Sequence, residues 1–164
     1  MRNMTLMNAT FFLAVLLAAP HANAQGSVNV ALGKPVMPLT ETAAGEPEWV
    51  VDGDVVAAWW SYQGTTSEAE CVVDLGSTHL LNQLVLRVIQ AENYAISASL
   101  DGGNWTALDQ GSATFPIHPA ITVDLPEPVP ARYLRFHSGN SQSAYAGLIE
   151  LEAYSDTVFM NGFE

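Results

Sequence analysis

What most constrains this chain is a two-residue rhythm broken at short intervals by turn residues. Cys71, Val73 and Leu75 share one face of an extended run, while Val72 and Asp74 take the other. Tyr94, Ile96, Ala98 and Leu100 alternate with Ala95, Ser97 and Ser99; Leu134 and Phe136 flank Arg135; Ile149, Leu151 and Ala153 alternate with Glu150, Glu152 and Tyr154. Successive side chains point to opposite faces only in an extended strand, so each run has an apolar face and a polar one. Between the runs stand Gly33-Lys34-Pro35, Asp52-Gly53-Asp54, Gly76-Ser77, Asp101-Gly102-Gly103, Pro126 through Pro130, and Ser138-Gly139-Asn140. Short half-buried strands cut by turns predict an all-β fold, an antiparallel β-sandwich or barrel. One stretch reads both ways. Leu80, Leu81, Leu84, Val85 and Val88 fit a helical period, whereas the β-branched content of Leu84 to Ile89 suits a strand.

The beginning of the chain reads as a processing signal. Arg2 precedes an apolar run from Phe11 to Ala19, Pro20 breaks it, and Ala22-Asn23-Ala24 has the small-x-small pattern of a cleavage site. The run is shorter than the ~20 apolar residues that span a bilayer. Residues 1–24 are therefore expected to be a signal peptide, with a mature chain from about Gln25 that is secreted or periplasmic and makes no membrane insertion. The remaining length suits one domain, residues 25–155, with a C-terminal tail at 156–164. Cys71 is the one cysteine, so no intrachain disulfide forms, and its place on an apolar strand face predicts a buried, inert thiol.

Charge narrows the partners. All 17 carboxylates lie after the leader, against Lys34, Arg87, Arg132 and Arg135, and the chain carries a formal net charge of −12. Binding to nucleic acid draws its affinity from neutralised phosphates, so no nucleic-acid partner is expected. Anionic membranes are disfavoured on the same ground.

Two clusters carry chemistry. In Asp52-Gly53-Asp54, two carboxylates flank a glycine that permits a sharp turn, so both can converge on a hard cation; an ordinary Asp-Gly turn has the same residues. The second cluster is Trp59-Trp60-Ser61-Tyr62. One member of an adjacent Trp pair usually points outward from an extended segment, where it can stack on the apolar face of a sugar ring or cap the edge of the core. Gln63, Asn140, Gln142 and Tyr145 lie in polar loops that can supply hydrogen bonds to hydroxyls. Catalysis finds no support. His79, His118 and His137 are scattered, and no nucleophile elbow or phosphate loop appears. Glu150 and Glu152 share a strand face, which fits a solvated face or metal ligation better than a catalytic carboxylate pair.

Taken in order, several blocks resemble the discoidin, or coagulation-factor type C, family, which includes the family 32 carbohydrate-binding modules. They are Asn29-Val-Ala-Leu-Gly-Lys-Pro35, Val51-Asp-Gly-Asp54 with Trp59, Val73-Asp-Leu-Gly76, Ser99-Leu-Asp-Gly102 with Trp105, Ala131-Arg-Tyr-Leu-Arg-Phe136, and Gly147-Leu-Ile-Glu-Leu-Glu-Ala-Tyr154. The resemblance implies a galactose-binding-domain-like jelly roll with ligand loops at one end, a strand at Leu84 to Ile89, and Trp59 in the core. It also implies a structural calcium ion held by the side chains of Asp52, Asp54 and Glu150 and the carbonyls of Trp49, Ala57 and Ile149. Where relatives commonly carry Thr or Ser, this chain has Ala57, which keeps the carbonyl and lacks the hydroxyl. It also lacks the basic-plus-aromatic loop cluster that some sugar-binding relatives use. The expected function is an exported, non-catalytic module that binds a glycan or cell-surface glycoconjugate through Trp60, Tyr62, Gln63, Asn140, Gln142 and Tyr145. The alternative is a protein-interaction or cell-surface adhesion module with no sugar ligand.

Overall fold

The computed structural model describes residues 27–61, 67–89, 91–113, 120–140 and 146–156, without the side chains of Trp60, Ser61 and Ser67. Its strands are β1 (Ser27–Asn29), β2 (Val36–Pro38), β3 (Thr42–Ala44), β4 (Trp59–Ser61), β5 (Ser67–Ile89), β6 (Ala91–Ser99), β7 (Thr106–Ala113), β8 (Ile121–Asn140) and β9 (Ala146–Asp156); a 3-10 turn, Pro47–Val51, lies between β3 and β4. The segment expected to be a signal peptide, residues 1–24, and the tail beyond Asp156 fall outside the described residues.

All described pairings are antiparallel, in the order β3-β4-β9-β5-β8-β6-β7, with β1 on β9 and β2 on β5. The two long strands make the layers. The first part of β5 pairs with β2 and with the end of β8 (Ser67↔Asn140 to Asp74↔Tyr133), whereas its second part pairs with β9 and with the start of β8 (Leu86↔Ile121). Register shifts between Asp74 and His79 and between Leu81 and Gln83 mark where the partners change. One layer is thus β2, the first part of β5, the end of β8, β6 and β7. The other is β3, β4, β9, the second part of β5 and the start of β8, giving the expected β-sandwich.

The alternating residues meet between the layers. Cys71, Val73 and Leu75, Ile96 and Ala98, Leu134 and Phe136, and Leu151 and Ala153 are all buried, together with Trp59, Leu81, Leu84, Leu86 and Val88. Burying one such large side chain contributes about 1.5–3 kcal/mol. Leu84 to Ile89 is strand, as the family resemblance implies. Leu100, grouped by pattern with Ile96 and Ala98, instead stands 54% exposed, because β6 ends at Ser99 and the Ser99 hydroxyl turns the chain by accepting the Gly102 N–H at 2.9 Å.

Candidate functional site

One end of the sandwich gathers the strand termini that flank the expected ligand loops. Ser61 of β4 lies opposite Ala146 of β9, Ser67 of β5 opposite Asn140 of β8, and Ala91 of β6 opposite Ala113 of β7. The chain therefore enters and leaves segments 62–66, 114–119 and 141–145 at this same end. The opposite end holds the Asp101–Asn104 turn and the Ser27↔Asp156 pair. Tyr62, Gln63, Gln142 and Tyr145 lie outside the described residues. Trp60 is in β4 opposite Gly147, and Asn140 is the last residue of β8. Trp59 is fully buried, and its indole N–H donates to Thr42 Oγ1 at 3.0 Å, which fixes it in the core.

The Asp52–Asp54 turn lies against β9. Val50 and Val51 bury the 3-10 turn that precedes it, and Gly53 adopts φ +83°, a conformation that favours glycine. The Gly53 N–H donates to Glu150 Oε1 at 3.3 Å. Asp52 Oδ1 accepts the Asp54 N–H at 2.7 Å, and Asp54 Oδ1 accepts the Val56 N–H at 2.9 Å, so each exposed carboxylate also braces its own turn. Glu150 differs from both. It is fully buried, its Oε2 has no hydrogen-bond partner, and Arg87, directly opposite on β5, has a buried, unpartnered Nε. Burial, reinforced by the nearby charges of Asp52 and Glu152 and opposed by the Gly53 N–H and Arg87, pushes the Glu150 carboxyl up to about 8.

The register shifts between Arg87↔Glu150 and Val88↔Leu148, which takes Ile149 out of the β5–β9 ladder. Trp49 ends a turn closed by its N–H on the Glu46 carbonyl at 3.0 Å, and Ala57 is half-buried just before β4. Among the described residues no three His, Cys, Asp or Glu side chains are grouped closely enough to hold a metal ion. Asp52, Asp54 and Glu150 surround one turn without forming a closed cage. Elsewhere, Cys71 is fully buried and burial pushes its thiol up to about 12, which suppresses the reactive thiolate.

A β-sandwich of this kind places several of its connecting segments at one end, where scaffolds commonly carry binding residues. The chain belongs to the F5/8 type C domain family, whose model matches residues 38–151. It is similar to chitosan-binding module 1 from a chitosanase/glucanase of Paenibacillus sp. IK-5, at 27% identity over 78% of this chain and 99% of that one, with a TM-score of 0.64. Module 2 of the same enzyme, solved with chitotriose, gives 27% identity, 77% and 100% coverage, and a TM-score of 0.65. The family 32 carbohydrate-binding module of Clostridium perfringens NanJ, solved with galactose, shares the fold at 15% identity, 79% and 98% coverage, and a TM-score of 0.65. No curated protein matches the chain. Among the described residues no helix is long and apolar enough to cross a membrane.

Proposed function

We propose that the protein is an exported, non-catalytic carbohydrate-binding module whose glycan site lies at the loop end. The observation that carries this reading is the shared end of β4, β5, β8 and β9, from which the segments bearing Tyr62, Gln63, Gln142 and Tyr145 leave beside Trp60 and Asn140. Aromatic rings stack on the C–H faces of pyranoses, and amides bridge neighbouring hydroxyls. The preferred ligand is an amino-sugar polymer of the chitosan class. Its support is the 27% identity to two chitosan-binding modules and the net charge of −12, which attracts a polycation. A glycan array probed with the mature protein tests this. Signal on glucosamine oligosaccharides, lost in Tyr62→Ala, is the expected result. An array with no signal from the folded protein overturns the reading in favour of a protein-interaction or adhesion role.

A structural calcium ion completes the proposal. Two features support it: the buried Glu150 carboxylate has an orphaned oxygen, and the Asp52 charge beside it raises its pKa, both of which a bound hard cation would relieve, although the three carboxylates stand apart in this structure. Asp52, Asp54 and Glu150 would hold the ion through carboxylate oxygens, with carbonyls from Trp49, Ala57 and Ile149. Bound there, calcium would tie the turn to the last strand.

A further inference from the structure

A depression of about 410 Å³ opens on the outer face of the β6–β7–β8 layer, lined by Asn93, Tyr94, Ala95, Gln110 and Gly111. The strand registers explain it. Ala95 lies between His137 of β8 and Gln110 of β7, and Asn93 lies opposite Gly139. Residues directly opposite in an antiparallel pair share a face, so Asn93, Ala95, Gln110 and His137 all project away from the core. Ala95 is the small residue on this face, and Gly139 adds no side chain beside Asn93. A Cβ on Gly111 would come within 2.9 Å of the Tyr94 ring, and one on Gly139 within 3.1 Å of Asn93 Oδ1. Tyr94 and Gly111, opposite each other, take the core-facing side, where the buried Tyr94 ring lies against Gly111 and its hydroxyl donates to Asp109 Oδ2 at 2.9 Å.

The two amides that rim the depression are exposed, and the fold does not use them. Among the described residues neither Asn93 nor Gln110 has a side-chain hydrogen bond. Each primary amide offers a donor and an acceptor, the pattern that pairs with adjacent hydroxyls of a pyranose. The depression begins directly below the loop end, since Gly139, opposite Asn93, adjoins Asn140 at the end of β8.

We propose that this lateral depression is a second saccharide subsite, in which Asn93 and Gln110 hold one pyranose of a glycan chain whose neighbouring units occupy the loop end. The proposal rests on the glycan-binding reading and adds a place for chain length to be read. Its test is a ¹⁵N-correlated NMR titration of the mature protein with glucosamine oligosaccharides and, separately, with monomeric galactose. The expected result is that oligosaccharide shifts the side-chain amides of Asn93 and Gln110 and the backbone of Ala95 together with loop-end signals such as Ser61, Asn140 and Ala146. The double variant Asn93→Ala/Gln110→Ala, altered only at exposed positions, should then bind oligosaccharide about tenfold more weakly. Shifts confined to the loop end, or undiminished affinity in the double variant, overturn the subsite and leave the glycan reading standing. Shifts confined to the depression support the subsite and remove the loop-end site. No shift with either sugar overturns both.

Discussion

A fully buried carboxylate with an unpartnered oxygen persists in a folded protein only when it is protonated or compensated by a cation. Glu150 is that residue, and the consequence is measurable. Its folded carboxyl lies near 8 against 4.5 for the free group, so the folded state holds the proton more tightly. The stability this confers is fully present below pH 4.5 and is lost as pH rises toward 8. In metal-stripped protein the melting temperature should therefore fall between pH 5 and pH 8. Added calcium should flatten that fall, and Glu150→Gln should abolish it. A flat profile in chelator would contradict the burial argument, and an unchanged slope with calcium would exclude the ion from this turn. At the core, Trp59→Ala should cost about 3–5 kcal/mol in denaturant unfolding, because it leaves a cavity where the fully buried indole packed. Cys71 should label slowly in the native protein and quickly in denaturant.

Strands were legible where alternation ran unbroken and illegible where a bulge interrupted it. Leu81 and Leu84 are both buried, and their three-residue spacing imitates a helix turn. The register shift between Leu81 and Gln83 produces that spacing, after which Leu84, Leu86 and Val88 alternate normally. Ile149 and Glu150, expected on opposite faces, are both buried for a related reason, since the Arg87–Val88 shift lies beside them. β7, Thr106–Ala113, gave little signal because it is an edge strand with few apolar side chains. The β4–β9 contact rests on a close approach at Gly147, where a Cβ would collide with the Trp59 carbonyl. Gly147→Ala should destabilise the domain by on the order of 1–3 kcal/mol, and amide exchange should show Trp59 to Ser61 losing protection first. Unchanged protection there would mean that β4 is not held by this pairing.

In the molecule as a whole, the fold separates its tasks. The Asp52–Asp54 turn braces β9, one end collects the loops, and the chain passes into and out of the sandwich side by side at the other end, where Ser27 pairs with Asp156. The motif blocks that resemble the discoidin family made the family and the sandwich readable, because their order and spacing follow the whole fold. Asn93 and Gln110 were not readable. They lie seventeen positions apart in unremarkable polar contexts, and only the β6–β7 register places them across one depression. The proposed glycan site at the loop end is open to direct measurement by isothermal titration calorimetry of the protein against glucosamine oligosaccharides. Saturable binding should appear, and Tyr62→Ala should weaken it about tenfold, the ~1.4 kcal/mol of a lost ring contact, with an unchanged melting temperature. No binding heat from correctly folded protein, or full affinity in the variant, would contradict a glycan site at the loop end.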